Sequence, residues 1–312
     1  MKQELSSTIS TEKMPQVPFG SRKISRLIAG GNQMGGASHN LLDLSAHMIE
    51  YFTVDRILEF LKECNAQSID TWQGNYGEKT RDVVRKLREE GQDINVIPLG
   101  APQLPELTDK QLRHVPRVAL ERMNSSLDRM LKELKPVGVA LWGSLTDVLW
   151  KEGELDRARD FLARIRDAGV QVGVATHAPE VIEYIDEKDW DIDFYMAALY
   201  RFEKSREEVL KIVPEVPLDV DRWSCMQVIL PSELPRMCDT IRKTPKTCIA
   251  FKLFAAGRAC GTPKEVSDTF EYVLGHIKAK DAVCVGMYPR FHTQMVKENA
   301  DLVKKFGRTE SS

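Results

Sequence analysis

Three side chains whose types suit proton transfer lie at or close to the ends of predicted strands. Asp70 lies near the end of a short apolar run, 68–71, and Tyr76 follows shortly after it. A barrel strand at this run would place both residues at the catalytic end of the fold. Lys252 lies in the otherwise apolar run 248–254, and strand alternation would aim its amine into the barrel near these two residues. Because burial lowers the pKa of a lysine, this amine is suited to accept a proton or to form a Schiff base.

Three histidines also follow predicted strands. His177 comes immediately after the predicted fifth strand, where it would act as an acid, a base or a metal ligand, or be an ordinary loop histidine with satisfied hydrogen bonds. His39 follows the first strand and His292 the eighth. If these histidines and Asp70 lie close together in the fold, they would form a metal site of the two-histidine, one-carboxylate kind. The alternative is a site without a metal.

Aromatic and cationic side chains near the same strand ends are candidate substrate contacts. The aromatic residues suit the apolar face of a sugar or another ring, although core packing would also explain them: Trp72, Trp142, Tyr200 and Tyr288. His39 joins this set. Arg201 and Arg258 would clamp a carboxylate or a phosphate, or would form surface ion pairs.

The elements that must position these residues are short apolar runs that alternate with amphipathic segments. There are eight runs, at 27–31, 68–71, 95–99, 137–141, 170–175, 192–199, 247–253 and 282–287. Eight buried strands, each followed by a helix, predict an α/β fold with a closed (β/α)8 TIM barrel. A doubly wound open sheet is the alternative, although no run is followed by a Gly-x-Gly-x-x-Gly turn.

The barrel accounts for most of the chain. Residues 1–16 are polar and predict a flexible leader, and 17–312 predict a single domain. The charged stretch 201–231 interrupts the alternation of strands and helices and contains three prolines, at 214, 217 and 231. It would be either a lid over the mouth of the barrel or a surface excursion.

Composition favours a small-molecule substrate. Lysine plus arginine (44) nearly balances aspartate plus glutamate (46), so the chain has no broad positive field for nucleic acid or for an anionic membrane. No apolar run approaches the roughly 20 residues that cross a bilayer. The six cysteines form no Cys-x-x-Cys pair, which predicts free thiols in a cytoplasmic protein. The oligomeric state is left open.

Several segments together resemble the aldo/keto reductases. Residues 68–77 are similar to that family's Asp-Thr-Ala-x-x-Tyr-Gly segment, with one extra residue before Tyr76 and with Trp72 in place of a small residue. The stretch 17–31 resembles the opening hairpin and first strand, and 172–177 resembles the fifth strand. Residues 249–258 resemble the seventh-strand region, and 285–299 resemble the eighth strand and last helix. The shared order of these segments implies the same barrel.

In that family a tyrosine donates a proton to a carbonyl, and a lysine paired with an aspartate lowers the tyrosine's pKa. The resemblance therefore implies catalytic roles for Tyr76 and Asp70. The family's lysine and histidine are missing, since the third run ends without a lysine and Trp142 occupies the histidine's position. Lys252 would have to supply the absent cation.

The resemblance also implies NADP(H) as cofactor. Arg290 would hold its 2′-phosphate, and Arg258 and Asn299 fall in the segments that resemble cofactor-binding regions. On the nicotinamide side the usual hydrogen-bonding residues are replaced by Ala175-Thr176 and by Met196.

These observations predict an aldo/keto-reductase-like enzyme that transfers a hydride between NADP(H) and a small carbonyl or hydroxyl compound, sugars included. The alternative is a lyase, dehydratase or epimerase on the same barrel that uses Lys252, His177 and Tyr76, with or without a metal. A third hypothesis is a noncatalytic binding protein.

Overall fold

The computed structural model describes residues 13–39, 42–101, 116–201, 204, 206–212 and 228–307. The strands in these ranges are β1 Gln16–Phe19, β2 Arg22–Ser25, β3 Leu27–Gly30, β4 Thr71–Gln73, β5 Asn95–Val96, β6 Leu99–Gly100, β7 Gly138–Leu141, β8 Gln171–Thr176, β9 Phe194–Ala198, β10 Thr247–Phe251 and β11 Ala282–Val285. The helices are α1 Leu42–Tyr51, α2 Val54–Ala66, α3 Glu78–Glu89, α4 Pro116–Leu134, α5 Gly143–Lys151, α6 Arg159–Asp167, α7 Pro179–Glu187, α8 Arg206–Ile212, α9 Glu233–Lys243, α10 Pro263–His276 and α11 Met295–Phe306. Short 3₁₀ turns lie at Asn32–Gly35, Leu155–Ala158 and Ala255–Gly257.

Nine of the described strands form one parallel sheet in the order β5-β4-β3-β11-β10-β9-β8-β7-β6. Its two ends, β5 and β6, are consecutive pieces of one barrel strand interrupted at Ile97 and Pro98. The Ile97 N–H donates to the Trp72 carbonyl at 3.0 Å, and the Ala140 N–H donates to the Pro98 carbonyl at 3.2 Å, so this strand is bonded on both sides. The ring of eight strands therefore closes. The predicted (β/α)8 barrel is confirmed, and the doubly wound alternative is excluded.

An antiparallel hairpin of β1 and β2 fills the N-terminal end of the barrel. Val17, Phe19 and Ile24 are buried among the side chains that point into the barrel. The Phe19 ring meets the ring of Phe194, at the start of β9, with centroids 4.9 Å apart. Because the hairpin occupies this end, the opposite end, where the parallel strands finish, is the one left for a ligand.

Side chains on the strands alternate between the interior and the layer under the helices. In β3, Leu27 and Ala29 pack outward and Ile28 packs inward, as the two-residue period of a strand requires. The helices cover the outer layer with one apolar face each. In α2 this face comprises Ile57, Leu61 and Cys64, spaced by four and three residues.

One buried arginine joins the first barrel strand to the last. Arg26, 2% exposed, donates from Nε to the Asp281 carbonyl at 3.1 Å and from Nη1 to the Gly307 carbonyl at 2.8 Å. Burial lowers the pKa of Arg26, and the nearby Asp281 carboxylate opposes that effect. Asp281 also accepts hydrogen bonds from the backbone N–H groups of Cys248 and Lys278, each at 2.8 Å. A network of paired polar groups thus joins the first and the last barrel strand at the N-terminal end. We call this junction the seam.

Two predicted boundaries fall partly outside the described residues. Of the predicted leader, residues 1–12 lie outside them, while Met14 is already buried and β1 begins at Gln16. Of the predicted lid 201–231, the structure describes 201, 204, α8 and 228–231, and residues 202, 203, 205 and 213–227 lie outside its description. Among the helices described, none is both long enough and apolar enough to cross a membrane.

We expect Arg26→Met to lower the free energy of unfolding by about 3 kcal/mol, because it strips buried carbonyls of their donors. Urea unfolding followed by circular dichroism measures the change. The matched control is Arg85→Met, which removes an exposed ion pair with Glu89 and should cost far less. Equal losses in the two variants would show that the seam does not depend on Arg26.

Candidate functional site

A cavity of about 1260 Å³ lies at the C-terminal end of the barrel. The strand ends that line it belong to β3, β4, β10 and β11, and the remaining walls come from the loops after them and from α10 and α11. The residues at these strand ends are Gly30, Gln73, Phe251, Lys252, Cys284 and Gly286. We call this space the mouth cavity. Its position is the one that TIM-barrel enzymes use for catalysis.

Lys252 and His39 meet in the wall of the mouth cavity. The Lys252 Nζ lies 3.3 Å from the His39 Nε2, although the two residues are 213 positions apart in the chain. In β10, Ile249 and Phe251 point inward, so simple alternation would turn Lys252 outward. The backbone of Lys252 instead adopts a left-handed conformation with φ 62°, which ends the strand, and its side chain lines the cavity.

The contact between these two nitrogens restricts their charges. Two positive charges at this separation repel each other, whereas one shared proton makes a hydrogen bond with one donor and one acceptor. The contact thus has the geometry in which a proton can pass between the two nitrogens. The Arg258 guanidinium donates to the His39 carbonyl at 3.1 Å and to the Ala255 carbonyl at 3.2 Å, which anchors this loop. Burial lowers the pKa of Arg258.

Backbone strain is concentrated around the pair. His39 has φ 53°, and in the loop after β10 the left-handed residues besides Lys252 are Ala255 and Ala256, with φ 49° and 54°. Each such residue costs about 1–2 kcal/mol relative to a right-handed conformation. Strain of this kind, held by surrounding structure, clusters at functional sites.

Cysteine thiols also reach the mouth cavity, but they are poor nucleophiles there. Burial raises the pKa of Cys284 to about 12, and it also raises the pKa of Cys260. Both thiols therefore stay protonated near neutral pH. Lys252 is the better candidate for a nucleophile in this wall.

A second polar cluster lies across Phe251 from the lysine. His177, which follows β8 as predicted, places its Nδ1 2.7 Å from the Asp147 Oδ2, and its backbone N–H also points at that carboxylate. The Thr176 hydroxyl donates to the Asp147 Oδ1. The His177 ring packs edge-on against Phe251, with centroids 5.7 Å apart. His177 does not itself line the mouth cavity, but it contacts Phe251, which does.

Asp147 was missed by the sequence analysis. It lies on α5 and is 3% exposed, and the buried residues of this helix include the polar Ser144 and Thr146 as well as leucines. The sequence pattern of the helix therefore gives no clear signal of a buried carboxylate. A smaller cavity of about 220 Å³ lies beside it and is also lined by Arg201, which forms an ion pair with Glu208 at 3.0 Å.

The prediction that Asp70 lies at the catalytic end is wrong. β4 begins at Thr71, so Asp70 precedes its strand and lies at the N-terminal end of the barrel. There its Oδ1 accepts from the Ser25 N–H at 2.8 Å and from the Thr71 hydroxyl at 2.6 Å. The polar residue that β4 delivers to the mouth cavity is Gln73.

The predicted role of Tyr76 is also wrong. Its hydroxyl donates to the Glu133 Oε2 at 2.6 Å, on α4, and its ring is buried in the layer outside the barrel. Burial, followed by the hydrogen bond and charge of Glu133, raises its pKa to about 12. A catalytic acid would need a lowered pKa, so Tyr76 is a structural residue.

Most of the predicted aromatic contacts belong to the outer layer rather than to the mouth cavity. Trp72 is 1% exposed and faces outward with Val96, and it lies in the middle of β4, which starts three positions later than predicted. Trp142, at the start of α5, is half-buried against the same outer layer. Tyr200 is also buried in this layer, and its burial raises its pKa. Tyr288 is the predicted aromatic residue that does line the cavity.

The four candidate metal ligands do not converge. Asp70 is at the far end, His39 contacts Lys252, His177 contacts Asp147, and the His292 Nε2 lies 2.6 Å from the Glu298 Oε2. Across the residues that the structure describes, no three histidine, cysteine or acidic side chains are placed to hold a metal ion.

Of the three predicted cofactor-binding residues, one lines the mouth cavity and two have other contacts. Asn299 lines the mouth cavity from α11. Arg290 instead lies over the rings of Tyr51 and Phe291, at 5.7 and 5.6 Å, and Arg258 is occupied with the loop carbonyls. The residues that would perform hydride transfer in the resembling family are thus not assembled around this cavity, so we derive no hydride-transfer step.

No protein-family model and no curated protein matches the sequence. Among solved structures, the chain is similar to a glycerol dehydrogenase from Gluconobacter oxydans, an aldo/keto reductase, with a TM-score of 0.52 and 12% identity over 96% of this chain and 97% of that one. It is also similar to a truncated 3-deoxy-D-arabino-heptulosonate 7-phosphate synthase from Thermotoga maritima, with a TM-score of 0.50 and 10% identity over 95% of each chain. At these identities the likeness establishes the barrel fold alone, and membership of the aldo/keto reductases stays a prediction.

For Tyr76→Phe we expect a loss of about 1 kcal/mol in the free energy of unfolding near pH 8, from the lost hydrogen bond to a carboxylate. Since the pKa is raised from 10 to about 12, this contribution is complete below pH 10 and disappears as pH rises through about 12. Urea unfolding at pH 8 tests the first statement, and unfolding at several pH values between 10 and 12 tests the second. A Tyr76→Phe variant as stable as wild type at pH 8 would refute the structural role.

We expect Lys252→Gly to be more stable than Lys252→Ala by about 1 kcal/mol, because only glycine relieves the left-handed backbone. Both variants lose the amine, so their comparison isolates the strain. Thermal and urea unfolding give the difference. If the alanine variant is equally stable, the left-handed conformation is not a source of strain.

Proposed function

We propose that this protein is an enzyme that forms an imine between Lys252 and a small carbonyl substrate and then moves a proton next to that carbonyl carbon. This places it among the lyases, dehydratases or epimerases. The observation that carries the proposal is the contact of the Lys252 Nζ with the His39 Nε2 inside the mouth cavity.

The pair supplies what imine formation requires. The His39 Nε2 accepts a proton from the ammonium group, and the free amine adds to the carbonyl carbon. The carbonyl oxygen takes up protons and leaves as water, which gives an iminium ion. This cation draws electrons from the neighbouring carbon, so that its proton transfers to the His39 Nε2, which has given up its first proton to the departing water. In an epimerase the proton returns to the same carbon, and in a dehydratase it leaves as water with a hydroxyl group from the next carbon. Hydrolysis of the imine releases product and restores the Lys252 amine.

His177 and Asp147 have a positioning role in this proposal. Their hydrogen-bonded pair holds the imidazole against Phe251, and Phe251 forms the wall between them and the substrate. Loss of this pair should alter substrate affinity more than the rate of imine formation.

Borohydride trapping tests the proposed function. We expect dihydroxyacetone plus sodium borohydride to attach one adduct per chain, which peptide mass spectrometry places on Lys252, because borohydride reduces an imine to a stable amine. His39→Asn should slow trapping by about 100-fold, the usual size of a lost proton-transfer group.

Two control variants show whether the trapped adduct is specific to Lys252. Lys252→Met should abolish the specific adduct, whereas Lys264→Met, which removes an exposed amine paired with Asp268, should leave it unchanged. Adducts spread over surface lysines at the same level in wild type and Lys252→Met would reject the proposal.

NADP(H) binding is the second candidate function. The observation that supports it is the volume of the mouth cavity, about 1260 Å³, which exceeds the roughly 300–1,000 Å³ of common small-molecule sites. Titration with NADPH, followed by protein fluorescence, should then show saturable binding that Asn299→Ala weakens about tenfold. Absence of binding at millimolar NADPH would remove this candidate.

A further inference from the structure

A buried glutamine in the floor of the mouth cavity has an acceptor without a partner. Gln33 lies in the 3₁₀ turn after β3 and is 5% exposed. Its Nε2 donates to the Gly30 carbonyl at 2.8 Å. Within the described part of the chain, its Oε1 is buried and has no hydrogen-bond donor.

The orientation of this amide is fixed by its other hydrogen bond. Exchanging the oxygen and nitrogen would bring two oxygen acceptors, that of Gln33 and that of Gly30, to 2.8 Å. A buried acceptor without a donor is destabilising, and such groups in native proteins call for a physical explanation. A donor supplied by a ligand would provide one.

The space that such a donor needs lies above Gly286. A Cβ added to Gly286 would be 2.9 Å from the Gln33 Oε1 and 3.7 Å from its Cδ, with no other described atom within 4 Å apart from its chain neighbours. Both residues line the mouth cavity. Only a glycine at 286 leaves this side of the unpaired oxygen without a side chain, so a ligand that enters from the mouth cavity would approach the oxygen past Gly286.

We infer that Gln33 and Gly286 form a subsite that binds a hydroxyl group of the substrate. The hydroxyl donates to the Gln33 Oε1 and lies over the Cα of Gly286. A charged ammonium group is disfavoured, because no carboxylate lies within 4 Å of that position to replace its hydration. This inference rests on the proposed function, since it takes the mouth cavity as the substrate site, and it makes the substrate a hydroxylated carbonyl compound.

The test compares two ketones that differ in their hydroxyl groups. Trapping rates on Lys252 are measured with dihydroxyacetone and with acetone, and the ratio of the two rates removes effects common to both. In Gly286→Ala the added methyl group lies 2.9 Å from the Gln33 Oε1 and blocks the approach of the hydroxyl, and Gln33→Met removes the acceptor at similar volume. We expect the ratio to fall at least tenfold in each variant, with thermal unfolding showing that both remain folded.

The outcomes separate this inference from the proposed function. If Lys252 is trapped by both ketones and the ratio is unchanged in both variants, the subsite is refuted and the imine-forming function stands. If Lys252 is never trapped, the function fails, and the subsite is then tested by glycerol. Glycerol should shift the side-chain amide resonance of Gln33 saturably in wild type but not in Gly286→Ala. A shift that is absent, or equal in both proteins, overturns the subsite.

Discussion

A closed ring of eight parallel strands is the constraint on which the rest of this molecule depends. Because every strand runs in the same direction, the loops that follow them gather at one end, and the hairpin of β1 and β2 fills the other. The first strand of the ring, β3, pairs with the last, β11, and β11 pairs with β10. This arrangement brings His39, which follows β3, to Lys252, which follows β10. The candidate chemistry is therefore a consequence of the topology.

Polar groups at the two ends of the barrel differ in whether they line a cavity. At the hairpin end, Arg26 and Asp281 are buried and hydrogen-bonded to several backbone groups. That end also has left-handed residues before its strands and a buried Trp190 Nε1 without a hydrogen-bond partner among the described residues. At the mouth, the left-handed Lys252 and the unpaired acceptor of Gln33 belong to residues that line the cavity, where a ligand or a reaction could make use of them. Their place in the cavity wall is the physical reason for locating function there.

The sequence was informative about the fold and less so about the site. Eight apolar runs predicted the barrel correctly because a buried parallel strand leaves a strong local pattern. Asp70 was misplaced because β4 starts three residues after the start of the predicted strand 68–71, so a residue predicted near the end of the strand lies just before its beginning. Lys252 does reach the mouth cavity, but through a left-handed turn that alternation does not foresee. Gln33 left no signal at all, since an unpaired acceptor exists only once the fold surrounds it.

The central claim is that Lys252 reacts with a hydroxylated carbonyl compound inside the mouth cavity. A crystal structure of the protein after treatment with dihydroxyacetone and borohydride tests it most directly. We predict continuous density from the Lys252 Nζ into the cavity, with a hydroxyl about 2.8 Å from the Gln33 Oε1, an ordinary O–H···O distance. An unmodified Lys252 beside labelled surface lysines would contradict the account.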